Sequence, residues 1–312
     1  MRKLFLFSVL FLLFSFFSAV KGENEIAHDY IASGYFQLIY KADIAYLEGN
    51  YDLAFALLQE AEKRVPLINQ RVYREIELYI WLLTKNGQYD KAIYYMEHLA
   101  VNYGQHPFGI TFRFYNNPDV KNRFIENNPD FFETTLLEIW EKSESFYTPG
   151  RLELIQLLTE MTYNDQRVRT LSEGQEVLDF EKMLQADSIN KVKFLEIVEK
   201  YGFPNERLLG SRDFRLHTGI DAMIVHFSDD KEIQELLLHF VRMGKASPSL
   251  YGFFVDRRMA HQRKQRIFGA ATNVTDDRIY DVENVDKRRL AIGMPTREQE
   301  RRRRELIAER RR

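Results

Sequence analysis

The 312-residue chain contains no cysteine. That absence excludes any disulfide, any thiolate metal site and any lipid-modified N-terminal cysteine. The fold must therefore be held by its hydrophobic core alone, and about 290 residues beyond the first segment are enough for that, with a length prior of about two domains. Beyond Val20 no stretch approaches the ~18 consecutive apolar residues of a membrane span. The seven histidines, His28, His98, His106, His217, His226, His239 and His261, include no pair at i, i+4 and no HExxH. No metal is expected from that spacing. A Gly-rich phosphate loop and a GxSxG nucleophile turn are also missing, so no cofactor is expected.

What is present begins with an address. Met1-Arg2-Lys3, an apolar run from Leu4 to Val20, and Lys21-Gly22 ahead of Glu23-Asn24-Glu25 have the three-part layout of a secretory signal peptide, with Val20 and Gly22 at the −3 and −1 positions. The expectation is residues 1–22 as a signal segment and a periplasmic or secreted protein. Retention of the run as an anchor is the alternative, at the lower limit of spanning length.

Charge is unevenly placed. Taking Arg2, Lys3 and Lys21 from the 44 basic groups leaves 41 against 46 acidic ones, a balance of −5. The tail, residues 296–312, holds eight Arg and four Glu, which leaves the body with 33 basic and 42 acidic groups, or −9. An acidic body argues against nucleic acid as a partner. The tail reads as a solvated Glu/Arg helix end, with contact to anionic lipid as the sharper alternative, although it lacks the apolar face of an interfacial helix.

From Ile31 to Tyr103 apolar residues recur at helical spacing. Gly49-Asn50-Tyr51-Asp52-Leu53-Ala54, followed by Leu57, Ala61 and Pro66, is echoed 38 residues later by Gly87-Gln88-Tyr89-Asp90-Lys91-Ala92, followed by Tyr95, Leu99 and Ala100. This resembles the tetratricopeptide repeat, in which a glycine ends the first helix at a close helix contact and small residues allow the second to pack. At least ~3 such units are needed for a continuous core. The third is expected between Pro118 and Lys142, where Asn117-Pro118-Asp119 and Asn128-Pro129-Asp130 read as helix starts. Between them, Gly104 to Asn116 reads as a loop packed on the helices. The array is placed at 23–147 and a second helical domain at 148–295, the boundary lying near Thr148-Pro149-Gly150.

In that second part Leu152, Ile155, Leu158 and Met161 form one stripe. Asp187 reads as the cap of a helix running to Tyr201, with Ile189, Val192, Leu195 and Val198 inward. Ser228, with Asp229, Asp230 and Glu232, and Ser247-Pro248 start further helices. Short strands or a structured loop are expected near 264–283. The fold class is all-α.

Residues 165–293 resemble a bacterial domain family of unknown function met in secreted proteins. Its Asp-Gln-x-x-Arg segment is matched by Asp165, Gln166 and Arg169, and its Asp-x-x-Asn helix start by Asp187 and Asn190. Its Tyr-Gly-Trp-Pro turn is matched by Tyr201-Gly202-Phe203-Pro204, its histidine at a helix end by His226, and its Asp-Arg pair by Asp256 and Arg257. Its glutamine-led loop begins at Gln265, and its Arg-Arg-x-x-x-Gly close is Arg288 to Gly293. The chain departs from the pattern at Phe203, Val225 and Ala270-Ala271.

If these residues form a site, His226 is the natural general base, with Asp165 or Asp256 orienting it or acting as the acid. Gln166, Arg169, Asn190, Arg257, Gln265 and Arg289 would bind ligand, the arginines by two-pronged contacts with an anionic group. They can equally be structural, with Asp256 and Arg257 paired across helices, Gln265 satisfying loop backbone and His226 a core histidine. The favoured function is a binding module whose concave face, with Tyr46, Tyr51, Tyr79, Tyr89, Tyr94 and Tyr95, takes a peptide or protein segment. The alternatives are a hydrolase- or transferase-like enzyme around His226, Asp165 and Asp256, and a purely structural envelope protein.

Overall fold

A computed structural model describes residues 28–106, 118–170, 178–271 and 273–311. The expected signal segment, most of the loop placed at Gly104 to Asn116, and Asn117 lie outside the described residues. Those described form fourteen α-helices and no strand.

Two helical hairpins open the chain. The first pairs α1 (Tyr35–Leu47) with α2 (Tyr51–Arg64), the second α3 (Glu75–Lys85) with α4 (Tyr89–Tyr103). Each elbow turns at a glycine with a left-handed backbone, Gly49 at φ 81° and Gly87 at φ 71°. A Cβ at either glycine would meet nothing within 4 Å. The glycines are thus required by φ, and not by the close helix contact the repeat pattern suggests. Asn50 caps α2 by accepting from the Leu53 amide at 3.2 Å. Ala54, Leu58 and Ala61 of α2 and Ala92, Met96, Leu99 and Ala100 of α4 are buried, while α3 is buried on every side from Glu75 to Thr84. Where the third unit is expected stand α5 (Pro118–Asn127), one π turn (Phe131–Thr135) and α6 (Leu136–Ser145), into which the π turn runs. The Asn128 side chain donates back to the Phe124 carbonyl at 3.0 Å instead of capping the next helix.

Thr148 and Pro149 start α7 (Pro149–Arg167), the threonine side chain accepting from the Arg151 amide. Its buried face is Leu154, Leu158, Met161, Thr162 and Asp165, so the expected stripe is displaced and Leu152 is exposed. The next helix, α8 (Phe180–Tyr201), is capped by Asp179, two turns before Asp187. Asp187 is therefore a mid-helix residue. The inner face of α8 is Asn190, Phe194, Ile197 and Val198, with Ile189 and Val192 half exposed. Both phase errors have one cause: a polar residue, Asp165 or Asn190, occupies the inward position, and an apolar stripe counted from sequence rotates away from it.

After α9 (Glu206–Leu209) come α10 (Phe214–His226), α11 (Lys231–Arg242) capped by Asp230, and α12 (Pro248–His261) capped by Ser247. Among its described residues the 264–283 segment holds no strand, only an isolated Arg266 to Ile279 bridge and short 3-10 turns, before α13 (Val285–Ala291) and α14 (Arg297–Arg310).

Among the described residues, packing is continuous across the boundary placed near 148. One hydrophobic cluster runs from Tyr30 to Met294, and backbone polar groups are satisfied across it: Ser211 N–H donates to the Tyr103 carbonyl at 2.9 Å, and Tyr40 O–H to that of Gly293 at 2.8 Å. Nor is the tail a solvated extension. Leu306 is buried, Arg303 bonds Asp43 at 2.6 Å, Arg302 bonds Glu48 at 2.9 Å, and Arg310 donates to the carbonyls of Tyr46 and Leu47 at the end of α1. A cation is favourable at a helix C-terminus. The docked α14 and the Gly293–Met294 turn thereby cover α1, whose Gln37 donates to the Met294 carbonyl at 2.8 Å.

Candidate functional site

Two arrangements concentrate polar chemistry. The first is built on Asp165, in the last turn of α7 and fully buried. Its carboxylate accepts from Gln166 Nε2 at 2.8 Å, from Arg169 Nη1 at 2.9 Å and from His226 Nδ1 at 3.1 Å. Asp165 and Arg169 meet because they stand one turn apart; His226 reaches them because α10 ends on it. Arg169 also pairs with Asp187 of α8. Burial lowers the pKa of Arg257, on α12, and the nearby Arg169 charge adds to this, while Asp187, Asp229 and Asp165 oppose it. Asn190 lies one turn beyond Asp187, its amide nitrogen buried without a partner among the described residues. The sequence-predicted Asp165, Gln166, Arg169 and His226 are thus in direct contact, and Arg257 stands within their field.

Candidate ligand atoms of Asp165, Asp187 and His226 lie within 4.8 Å of one another, a grouping that a search for histidine pairs passes over. Arg169, hydrogen-bonded to both carboxylates, already stands in the cation's place there. Chemically, a carboxylate holding an imidazole by Nδ1 leaves Nε2 able to take a proton from a bound group. The His226 side chain is 11% exposed, so little surface is open to such a group.

Asp256, Gln265 and Arg289 do not join this cluster. The Asp256 carboxylate accepts the amides of Ile267, Phe268 and Ala270 at 2.7–2.9 Å. Arg289, with no exposed surface, donates to the carbonyls of Pro295, Phe268 and Gly269 and to Glu300. Gln265 is exposed and donates to the Asp277 carbonyl at 3.0 Å. The three residues satisfy loop backbone that has no helix or sheet partners. The Asp-Arg, glutamine-loop and Arg-Arg motifs thereby form one structural staple, and adjacent Asp256 and Arg257 serve different sides of α12.

The second arrangement is a cleft of about 540 Å³ where the first two hairpins meet the later helices. Its walls come from the α2–α3 linker, the Tyr201 to Pro204 turn, α10, the start of α12 and α14. Tyr30, Tyr40 and Tyr103 line it, and their hydroxyls are engaged: Tyr30 O–H donates to the Pro66 carbonyl, Tyr40 O–H to Gly293, and Tyr103 Oη accepts from the Asn69 amide. Burial pushes the Tyr30 phenol up to about 12, so it stays neutral. Arg71 and Asp221 form an ion pair on the wall, where burial raises the aspartate pKa against the pull of Arg71. Of the sequence motifs only the Tyr201-Gly202-Phe203-Pro204 turn lies on this cleft, and none of its residues is among the candidates for a site, because the walls come from segments far apart along the chain.

Close to these rings Glu75 is buried at 1% exposure, one oxygen accepting from the Gln70 amide and the other unpartnered. Burial raises its pKa well above the usual range. Folding therefore holds this proton more tightly than the unfolded chain does, and stability is lost as pH rises from the unfolded carboxylate pKa towards the folded one. Glu75→Gln is expected to raise stability at pH 7 by ~1–3 kcal/mol, the cost of a poorly satisfied buried polar group. The gain should vanish below about pH 4, where the carboxyl is protonated in both states. Thermal unfolding of both proteins at pH 4 and pH 7 checks this.

No protein-family model, curated protein or solved structure was found to match the chain.

Proposed function

We propose that the protein is a periplasmic or secreted binding protein, in which a helical array of tetratricopeptide type and the helices that follow it hold a peptide or protein segment in the cleft between them. The cleft is the observation that carries this reading. Its volume of about 540 Å³ falls within the ~300–1,000 Å³ of ligand pockets, and its lining combines tyrosines with charged side chains. Within the array α1 is covered by α14 and the Gly293–Met294 turn, so the partner is placed in the cleft.

A second reading, a hydrolase- or transferase-like activity, draws its support from the Asp165–His226 pair. It ranks behind because Asp256 is spent on the loop and the imidazole is nearly enclosed.

The test is direct binding. Ser249, in the first turn of α12 on the cleft wall, is replaced by Trp to fill the cleft. Labelled peptide pools should bind the wild-type chain saturably and bind Ser249→Trp at least tenfold more weakly, with its circular dichroism unchanged. Equal binding by both proteins, or none by either, would count against the cleft as the site.

A further inference from the structure

The cleft is charged differently from the molecule around it. Without its first 22 residues the body before Thr296 carries −9, yet the cleft lining contains five cationic side chains, Arg71, Arg207, Lys245, Arg303 and Arg304, against three carboxylates, Glu206, Asp221 and Glu300. Several of these are already committed: Arg71 to Asp221, Arg303 to Asp43, and Glu300 to Arg289. Arg207 and Arg304 are different, since among the described residues neither has a carboxylate partner. Arg207 belongs to α9 and Arg304 to α14, so they reach the cleft from separate elements.

Arg207 is exposed and lines the cleft. Burial raises the pKa values of Tyr30 and Tyr103, both on the cleft wall, against the pull of the Arg207 charge, and burial lowers that of His98 with Arg207 adding to it. Glu206, without an ion pair among the described residues, adds to the burial that raises the pKa values of Asp221 and Glu75. The docking of α14 gives the uneven charge of the sequence a structural consequence: an acidic body places part of its basic tail on the rim of a concave site. Walls of low polarizability concentrate such a field and raise the local concentration of oppositely charged ligands. A planar guanidinium fork also matches a carboxylate geometrically.

Resting on the cleft as the binding site, we propose that its occupant is an acidic peptide segment, with carboxylates held by Arg207 and Arg304 and the intervening chain lying against the tyrosine rings.

The experiment uses the full chain and three fluorescein-labelled pools of octapeptides that share the same apolar positions. The variable positions are enriched in Asp/Glu, in Ser/Gln or in Lys/Arg. Anisotropy titrations at low and high salt should show the acidic pool binding at least tenfold tighter than the neutral one, an advantage that shrinks as salt screens the charges. Arg207→Glu combined with Arg304→Glu, both exposed positions, should abolish the preference while the circular dichroism is unchanged.

A neutral or basic pool that binds as well as the acidic one and is lost in Ser249→Trp would overturn the acidic assignment while leaving the cleft as the site. Acidic binding that survives either the double variant or Ser249→Trp would overturn the assignment too. Failure of all three pools to bind would overturn both the assignment and the cleft reading.

Discussion

Asp165→Ala is expected to lower unfolding stability by ~3–5 kcal/mol, the cost of removing one member of a buried charged pair. The size follows from the contacts: three donors, from Gln166, Arg169 and His226, converge on a carboxylate with no exposed surface. Truncation leaves Arg169 held only by Asp187 and by the Asp165 main-chain carbonyl. Asp165→Asn keeps the shape and one acceptor and should cost clearly less. Urea unfolding of the two variants checks this, and an alanine variant as stable as wild type would mean that the cluster does not hold α7, α8 and α10 together.

Arg289→Met is expected to cost a similar ~3–5 kcal/mol, through a different part of the chain. The guanidinium ties the carbonyls of Phe268 and Gly269 in the loop and Pro295 before α14 to the carboxylate of Glu300, and a thioether of similar length leaves all four acceptors without their donor. The loss should be accompanied by faster tryptic cleavage within 297–310, because Glu300 is one of the anchors of α14. Arg289→Lys, with the charge but not the fork, should recover only part of the stability. A methionine variant with an unchanged unfolding midpoint and the same proteolysis rate would rule this staple out.

Local sequence carried the helices well and their orientation less well. The Gly-x-Tyr-Asp blocks placed both elbows, since a left-handed turn needs glycine wherever it lies; the packing reason attached to them was wrong, because no neighbour approaches either glycine. Asp187 read as a cap since aspartate serves a helix start as readily as an ion pair, and only the fold shows Asp179 at the start. The Asp-Gln-x-x-Arg segment did single out Asp165, Gln166 and Arg169, three members of the polar cluster.

Asp256 and Arg289 could not be told from site residues, because a polar side chain that satisfies loop backbone has the same composition as one that binds ligand. Docking of the tail was hidden for a related reason. It rests on one buried leucine, Leu306, and on arginine contacts to Asp43 and Glu48 more than 250 residues away, and neither leaves an apolar stripe.

Hydrogen exchange of the full chain, with and without a saturating acidic octapeptide pool, tests the central claim most directly. Occupancy of the cleft predicts slower exchange in residues 66–73, 201–208, 243–250 and around Arg304, with α5 and α6 unaffected. Protection confined instead to the exposed apolar side of α8 near Phe180 and Leu184, or absent throughout, would contradict it.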